Sequence, residues 1–266
     1  MNKHLHLHQD NGVAWITMDR PERRNAFLHD MVGAMTDMAK ALANDESCRI
    51  VVIRGTGKDF CSGSDTGTLD ESAAQTSAER AQRFDQGMAT HIQPLLRAFL
   101  TLRQPIVASA RGNAIGLGGQ FLLFADLVVG SETLKLILPQ VKLGHVFDHG
   151  ESYLLPRRIP PGKAMELALL GETMNSTEAE RFGLVNFLVS DSDLETRTND
   201  IVGKLSRLPP VALWRSKALM RSAETADFET QLKAERLHAS ACGGTEDFVE
   251  AIAAFSEKRP PRYVGR

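Results

Sequence analysis

The chain has 266 residues, with 31 Lys and Arg against 33 Asp and Glu, a formal net charge of -2 and 42% hydrophobic content. That balance excludes a large positive field for nucleic acid or an anionic membrane, while the apolar content can bury a substantial core. The start, MNKHLHLHQDNG, lacks the apolar run of a signal peptide, and no stretch approaches the roughly twenty apolar residues that span a bilayer.

A soluble cytoplasmic protein is therefore expected. Cys48, Cys61 and Cys242 are too scattered for a metal motif and read as reduced, packed thiols, so no metal site is expected.

His4, His6 and His8 alternate and share one face of an edge strand, read as solvated. VAWITM (13–18) predicts a strand and 28–43 an amphipathic helix. RIVVIRG (49–55) is the next strand, and a long helix follows over about 77–102. PIVASARG (105–112) leads through a glycine-rich turn into the apolar run QFLLFADLVVG (120–130) and then LKLILP (134–139). Strand and helix in alternation give an α/β class. From residue 161 onward the pattern predicts helices only, at 161–170, 176–182, 193–207, 211–223, 227–240 and 246–257. Pro209 and Pro210 mark a hinge, since the pair ends one helix and Pro210 opens the next. The division is an α/β core over 1–200 and a helical region over 201–266.

Three segments carry candidate chemistry. In DFCSGSDTG (59–67), Ser62, Gly63 and Ser64 let a ligand approach backbone N–H groups, although a polar turn would read the same. The spacing is not that of a serine-hydrolase elbow. In GNAIGLGGQFLLFAD (112–126), Gly116, Gly118 and Gly119 precede an apolar helix whose first N–H groups are unpaired, a place for an oxyanion or for close packing. Phe121 stands where a dinucleotide fingerprint requires glycine. LPQVKLGHVFDHGESYLLPR (138–157) sets His145, Asp148, His149 and Glu151 between apolar runs. Asp148 suits an acid/base or the N-cap of a helix starting near Gly150. Glu151 suits the first helical turn, and His145 and His149 can orient a group or move a proton. His91, in the long helix, reads as a surface or packing histidine.

RPERRNAF (20–27), DFCSGSD (59–65), GNAIGLGGQFLLFAD (112–126), AMELALLGETMNSTEAERFGLVN (164–186) and AFSEKRPPRYVGR (254–266) together resemble the successive signatures of the crotonase superfamily, the enoyl-CoA hydratase/isomerase family. The resemblance implies a spiral of repeated β-β-α units with a C-terminal helical trimerisation region, working as a homotrimer or a dimer of trimers. It implies an acyl-CoA thioester of fatty acid metabolism as substrate, with no cofactor because CoA arrives on the substrate. Carried over by position, the N–H groups of Ser64 and Leu117 would hold the thioester oxygen. Arg23, Arg24, Ser62, Ser64, Asp65, Thr66, Lys258 and Arg259 would hold CoA.

The two glutamates of the family's hydratases fall on Gln120 and Gln140. An amide exchanges no proton near neutral pH, so the resemblance points away from hydration. Asp148, eight residues beyond Gln140, falls where some isomerases of the family carry an aspartate. The expectation is an enoyl-CoA isomerase with Asp148 shuttling the proton, its pKa raised by Val146, Phe147 and Leu154 unless a protonated His145 or His149 opposes this. The alternatives are a CoA-thioester or β-diketone hydrolase or lyase using Asp148 with a histidine, and a non-catalytic acyl-CoA binder. Residues 68–90 are expected to line the acyl pocket.

Overall fold

The computed structural model describes residues 2–65, 67 and 76–266. Thr66 and the 68–75 part of the expected acyl-pocket segment lie outside them. β1 (Leu5–Asp10) and β2 (Val13–Met18) form an antiparallel hairpin across Asn11 and Gly12, both at positive φ, as a two-residue Asn-Gly turn requires. α1 (His29–Asn44) then leads to β3 (Ile50–Gly55). α2 (Ser77–Gly87) continues through a π turn at Met88–Ile92 into α3 (Gln93–Leu100). The widened ladder, with Gln93 N–H donating to Met88 O, lies next to Pro94, which has no N–H to offer and crowds an ordinary α-turn.

β4 (Ile106–Ala110), β5 (Asn113–Ile115), α4 (Leu117–Phe124), β6 (Leu127–Ser131) and β7 (Lys135–Ile137) complete the next turns. α5 (Glu151–Arg158), α6 (Pro161–Leu170), β8 (Thr173–Asn175), α7 (Ser176–Arg181) and β9 (Phe187–Val189) follow. The chain ends in α8 (Leu194–Ser206), α9 (Pro210–Ser222), α10 (Phe228–Gly243) and α11 (Glu246–Glu257).

The strands form a 6-stranded sheet in the order β1-β2-β3-β4-β6-β9 and a 3-stranded sheet in the order β5-β7-β8. Beyond the first hairpin the large sheet is parallel. Bridges from Phe27 to Ser64 and from Cys61 to Ala114 extend the small sheet back through 61–64 to residue 27. Each turn of chain thus lays one strand in the first layer, a short piece in the second, and then a helix. This is the spiral of strand, strand and helix that the resemblance implies. Alternate residues of β3 serve two cores: Val51 and Ile53 join the cluster beneath α1, α3 and α4, while Ile50 and Val52 pack with Leu194, Ile201 and Val202 of α8. α8 therefore runs through residue 200 while packed on the sheet.

The helices fall close to their expected spans, but the segment after 161 is not helical throughout. β8 pairs with β7, Leu136 opposite Met174, and β9 adds to the large sheet, Val129 opposite Phe187. Three-residue strands are too short to show a period of two, and their hydrogen bonds come from residues distant in the chain. The last helices are thinly supported: α9 buries only Pro210, α10 buries nothing, and α11 buries Asp247 and Ala254. What fastens α9 is electrostatic. Lys217 Nζ lies 2.7 Å from Asp126 Oδ2 and Arg221 Nη2 2.9 Å from Asp126 Oδ1, and Arg221 also donates to the carbonyl of Phe124 at the end of α4. Burial pushes the Lys217 ammonium down to about 8 despite the pull of Asp126.

Candidate active site

In the parallel bridge at Ser64, Phe27 N–H donates to Gly63 O and Asp65 N–H to Phe27 O. Groups alternate along an extended chain, so the N–H of Ser64 turns to the opposite side. There lies the entry to α4, tied in by Cys61 N–H to Asn113 O and Ile115 N–H to Cys61 O. A Cβ placed on Gly63 would sit 2.6 Å from Ile115 O and 3.7 Å from Leu117 N, so the two segments meet almost backbone to backbone. Gly118 is required for the same reason, since its Cβ would fall 2.2 Å from Cys61 O. Leu117 opens α4, and its N–H, like that of Ser64, has no acceptor among the described residues. Two neighbouring unpaired amides are what an oxyanion needs.

Asn25 braces this arrangement. Fully buried, its side-chain amide donates to the carbonyls of Thr56, Asp59 and Phe60, and Asp59 in turn accepts from Asn113 N and Nδ2. The sequence did not single out Asn25, because its role in setting the turn before Ser64 depends on carbonyls more than 30 residues away. Cys61, fully buried and pushed up to about 12 by that burial, donates to Asn25 O and is no nucleophile.

The charged stretch after Gln140 folds inward. Glu151, fully buried in the first turn of α5, accepts from Gln140 Nε2 at 2.8 Å and from His149 N at 2.7 Å. His149 Nδ1 lies 2.9 Å from Asp148 Oδ1 and 3.5 Å from Glu151 Oε1. The first contact is short but poorly aligned, so it acts as an ion pair and leaves Asp148 Oδ1 and His149 Nδ1 without a directed hydrogen bond. His145 Nδ1 stands farther off, 3.8 Å from Asp148 Oδ2, with its ring on Phe84 at 5.0 Å. Burial disfavours the His149 cation, but the two carboxyls outweigh it and raise His149 to about 9. Burial likewise pushes Asp148 up, yet His149 and His145 hold its carboxyl below the usual range. Of the opposing influences on Asp148 set out from sequence, the histidines prevail over Phe147 and Leu154. Nor does Asp148 cap α5, whose N-cap is Gly150 at φ +87 with no side-chain cap.

Gln120 projects from α4 one turn beyond Leu117. It is fully buried, neither amide atom has a partner, and its Nε2 lies 3.7 Å from where a Cβ on Gly150 would be. The Oε1 of Gln140 is also buried and unpartnered. Gln120, Gln140, Asp148, His149 and Glu151 thus come together, a concentration of unsatisfied buried polar atoms that marks a ligand site rather than a packed core. The sequence shows no metal motif, yet Asp148, His149 and Glu151 hold potential ligand atoms within 4.8 Å of one another; the proton on His149 would compete with a metal ion.

Of the residues expected to hold CoA, Arg23 and Arg24 are exposed and adjoin Ser62, whose N–H donates to Arg24 O and whose Oγ donates to Arg23 O. Asp65 is bonded to Arg20, which holds its carboxyl below the usual range. Lys258 is exposed at the end of α11, while Arg259 is engaged by Glu250 at 2.6 and 2.7 Å and by Glu257 at 2.6 Å. His91 pairs with His29, Nε2 to Nε2 at 3.0 Å, an arrangement the sequence did not signal.

Comparison with known proteins identifies the family. The family profile described as enoyl-CoA hydratase/isomerase matches residues 8–266. The chain is 31% identical over 261 residues to 1,2-epoxyphenylacetyl-CoA isomerase of Escherichia coli (strain K12), covering 97% of each. It is 30% identical over 277 residues to carnitinyl-CoA dehydratase of Proteus mirabilis (strain HI4320), covering 100% of each. Its fold matches the crystal structure of enoyl-CoA hydratase from Bacillus anthracis with a TM-score of 0.89 at 26% identity, over 99% of this chain and 100% of that one. The chain belongs to the enoyl-CoA hydratase/isomerase family of the crotonase superfamily.

Proposed function

We propose that the protein is an enoyl-CoA isomerase that moves a double bond from C3 to C2 of an acyl-CoA thioester. The observation that carries this reading is the distribution of acids: Gln120 and Gln140 are amides, and Asp148 is a carboxylate held ionised beside the paired histidine. Asp148 takes a proton from C2, the N–H groups of Ser64 and Leu117 hold the dienolate oxygen, and Asp148 returns the proton at C4. A carboxylate with a low pKa is a weak base, so stabilisation of the oxyanion must carry the first step. The same low pKa, kept by the His149 cation, makes protonated Asp148 a good donor for the second. The chemistry asks for no metal or redox cofactor.

CoA is proposed to lie across Arg23, Arg24 and Ser62 to Thr66, with Lys258 and Arg259 completing the set from α11. The exposed Met220, Phe228, Leu237, Phe248, Ile252 and Phe255 of α9 to α11 support assembly as a homotrimer or a pair of trimers. The cytoplasm is the proposed location; among the described residues no helix is long and apolar enough to cross a membrane.

The test is purified protein with 3-hexenoyl-CoA, followed by the ultraviolet absorbance of the conjugated thioester, beside a hydration assay with a 2-enoyl-CoA. Conjugation with little hydration is expected. Bound thioester without conjugation would sink the isomerase reading and leave hydrolysis or cleavage through the Asp148–His149 pair as the next to assay.

A further inference from the structure

We propose that His29 and His91 form a binding site for a divalent late-transition-metal ion, which clasps the start of α1 to the π turn before α3. The proposal is independent of the isomerase reading and uses neither Asp148 nor the proposed oxyanion donors.

The two rings come from positions 62 residues apart, so no spacing in the sequence announced them. His29 is the first residue of α1, and His91 lies in the π turn Met88–Ile92, an irregularity of the kind that often accompanies a functional site. Their Nε2 atoms are 3.0 Å apart. Two imidazole nitrogens, each about 2.0–2.1 Å from one metal ion at angles between square and tetrahedral, are separated by roughly 2.8–3.4 Å.

A plain hydrogen bond accounts for that distance but not for the rings. An in-line N–H···N bond would carry each centroid a ring radius beyond its nitrogen. Here the centroids are 4.1 Å apart, little more than the nitrogens, and the planes meet at 53°. The rings therefore lie side by side rather than end to end. One hydrogen cannot lie along both nitrogen axes in that arrangement, whereas an ion seated beside the pair can meet both.

The placement of hydrogens also suits a ligand pair. Thr90 Oγ1 gives its one hydrogen to Gln86 O at 2.7 Å, so its 2.7 Å contact with His91 Nδ1 is a bond donated by the ring. That puts a hydrogen on His91 Nδ1 and directs a lone pair from Nε2, as the orienting partner of a metal-bound histidine does. His29 Nδ1 has no partner among the described residues. The ring can carry its hydrogen there, which frees its Nε2 as the second ligand with no proton gained or lost. The near-right angle that 3.0 Å implies suits Ni²⁺ and Cu²⁺ better than tetrahedral Zn²⁺, with water completing the shell. Such an ion ties α1, which starts beside the Phe27–Ser64 bridge, to the segment entering α3, whose Leu96 lies 3.5 Å from where a Cβ on Gly150 would be.

The experiment is calorimetric titration of the full chain with Ni²⁺, in a His4→Gln, His6→Gln, His8→Gln background that silences the histidines of β1. One Ni²⁺ per chain is expected, and adding His29→Gln or His91→Gln should weaken its binding at least tenfold. Thr90→Val keeps both ligands but removes the group that orients His91, and should weaken binding roughly tenfold to a hundredfold. Ni²⁺ should raise the thermal midpoint of the background protein and leave that of His29→Gln unmoved, while without Ni²⁺ the two midpoints should agree. His149→Gln should leave Ni²⁺ affinity unchanged, which separates this site from the group of Asp148, His149 and Glu151. Affinity that survives both His29→Gln and His91→Gln, an adventitious ion only, overturns the proposal, as does affinity lost in His149→Gln.

Discussion

His149 stands between two carboxyls, and its charge governs how the site responds to pH. Activity should fall on the alkaline side as His149, raised to about 9, loses its proton and Asp148 loses its counter-charge. His149→Gln should remove that limb from the rate profile. Stability follows the same groups. The folded pKa of His149 lies above its ordinary 6.5, so its contribution is complete below pH 6.5 and lost as pH rises through about 9. Asp148 is held below 3.8, so its contribution is present above that value and lost as acid protonates it. Urea unfolding of wild type and His149→Gln across pH 5 to 10 would show the two curves converging at the alkaline end. Asp148→Asn should lower turnover about 10²- to 10⁴-fold with little change in thioester affinity. The density of titratable residues in FDHGES was plain in the sequence. Which of them prevailed was not, because that depends on a 2.9 Å contact and on the burial of Glu151 beneath Gln140.

At the scale of elements, two short backbone segments must meet for the proposed oxyanion donors to converge. Gly63→Ala places a Cβ against Ile115 O at a φ of +85, so the segments must part. A rate loss on the order of a hundredfold is expected, with a loss of roughly 1–3 kcal/mol in stability, checked by steady-state kinetics and urea unfolding. The glycines and the helix start were legible from residue type alone. The three-residue strands β5, β8 and β9 were not, since each is held by partners far along the chain rather than by its own pattern. The docking of α9 was equally invisible, because Asp126 lies more than 90 residues before Lys217 and Arg221 and all three look like ordinary surface charges. Asp126→Asn would leave two cations together in a largely buried place and should cost about 3 kcal/mol in unfolding experiments.

At the scale of the molecule, α9 to α11 carry large apolar side chains that the chain itself leaves uncovered, Ile252 at 56% and Phe255 at 85% exposure. A monomer would hold that surface in water, so light scattering after size exclusion should report a trimer or a multiple of it. Ile252→Asp with Phe255→Asp should yield monomer with the α/β core intact by circular dichroism. The alternation of strand and helix was readable from periodicity; the spiral itself came only through the family resemblance, since its second layer consists of bridges and three-residue strands. That layer carries Ser64 and leads into Leu117, so the architecture and the chemistry share one dependence on long-range pairing.

The proposed isomerisation turns on one carboxylate taking and returning one proton. The most direct measurement is turnover of 3-hexenoyl-CoA deuterated at C2, in ordinary water, with the label in the conjugated product located by mass spectrometry and NMR. Deuterium carried to C4 by the wild type, and no product from Asp148→Asn, is the predicted result. Conjugated product with hydrogen only at C4, formed equally fast by Asp148→Asn, would contradict it.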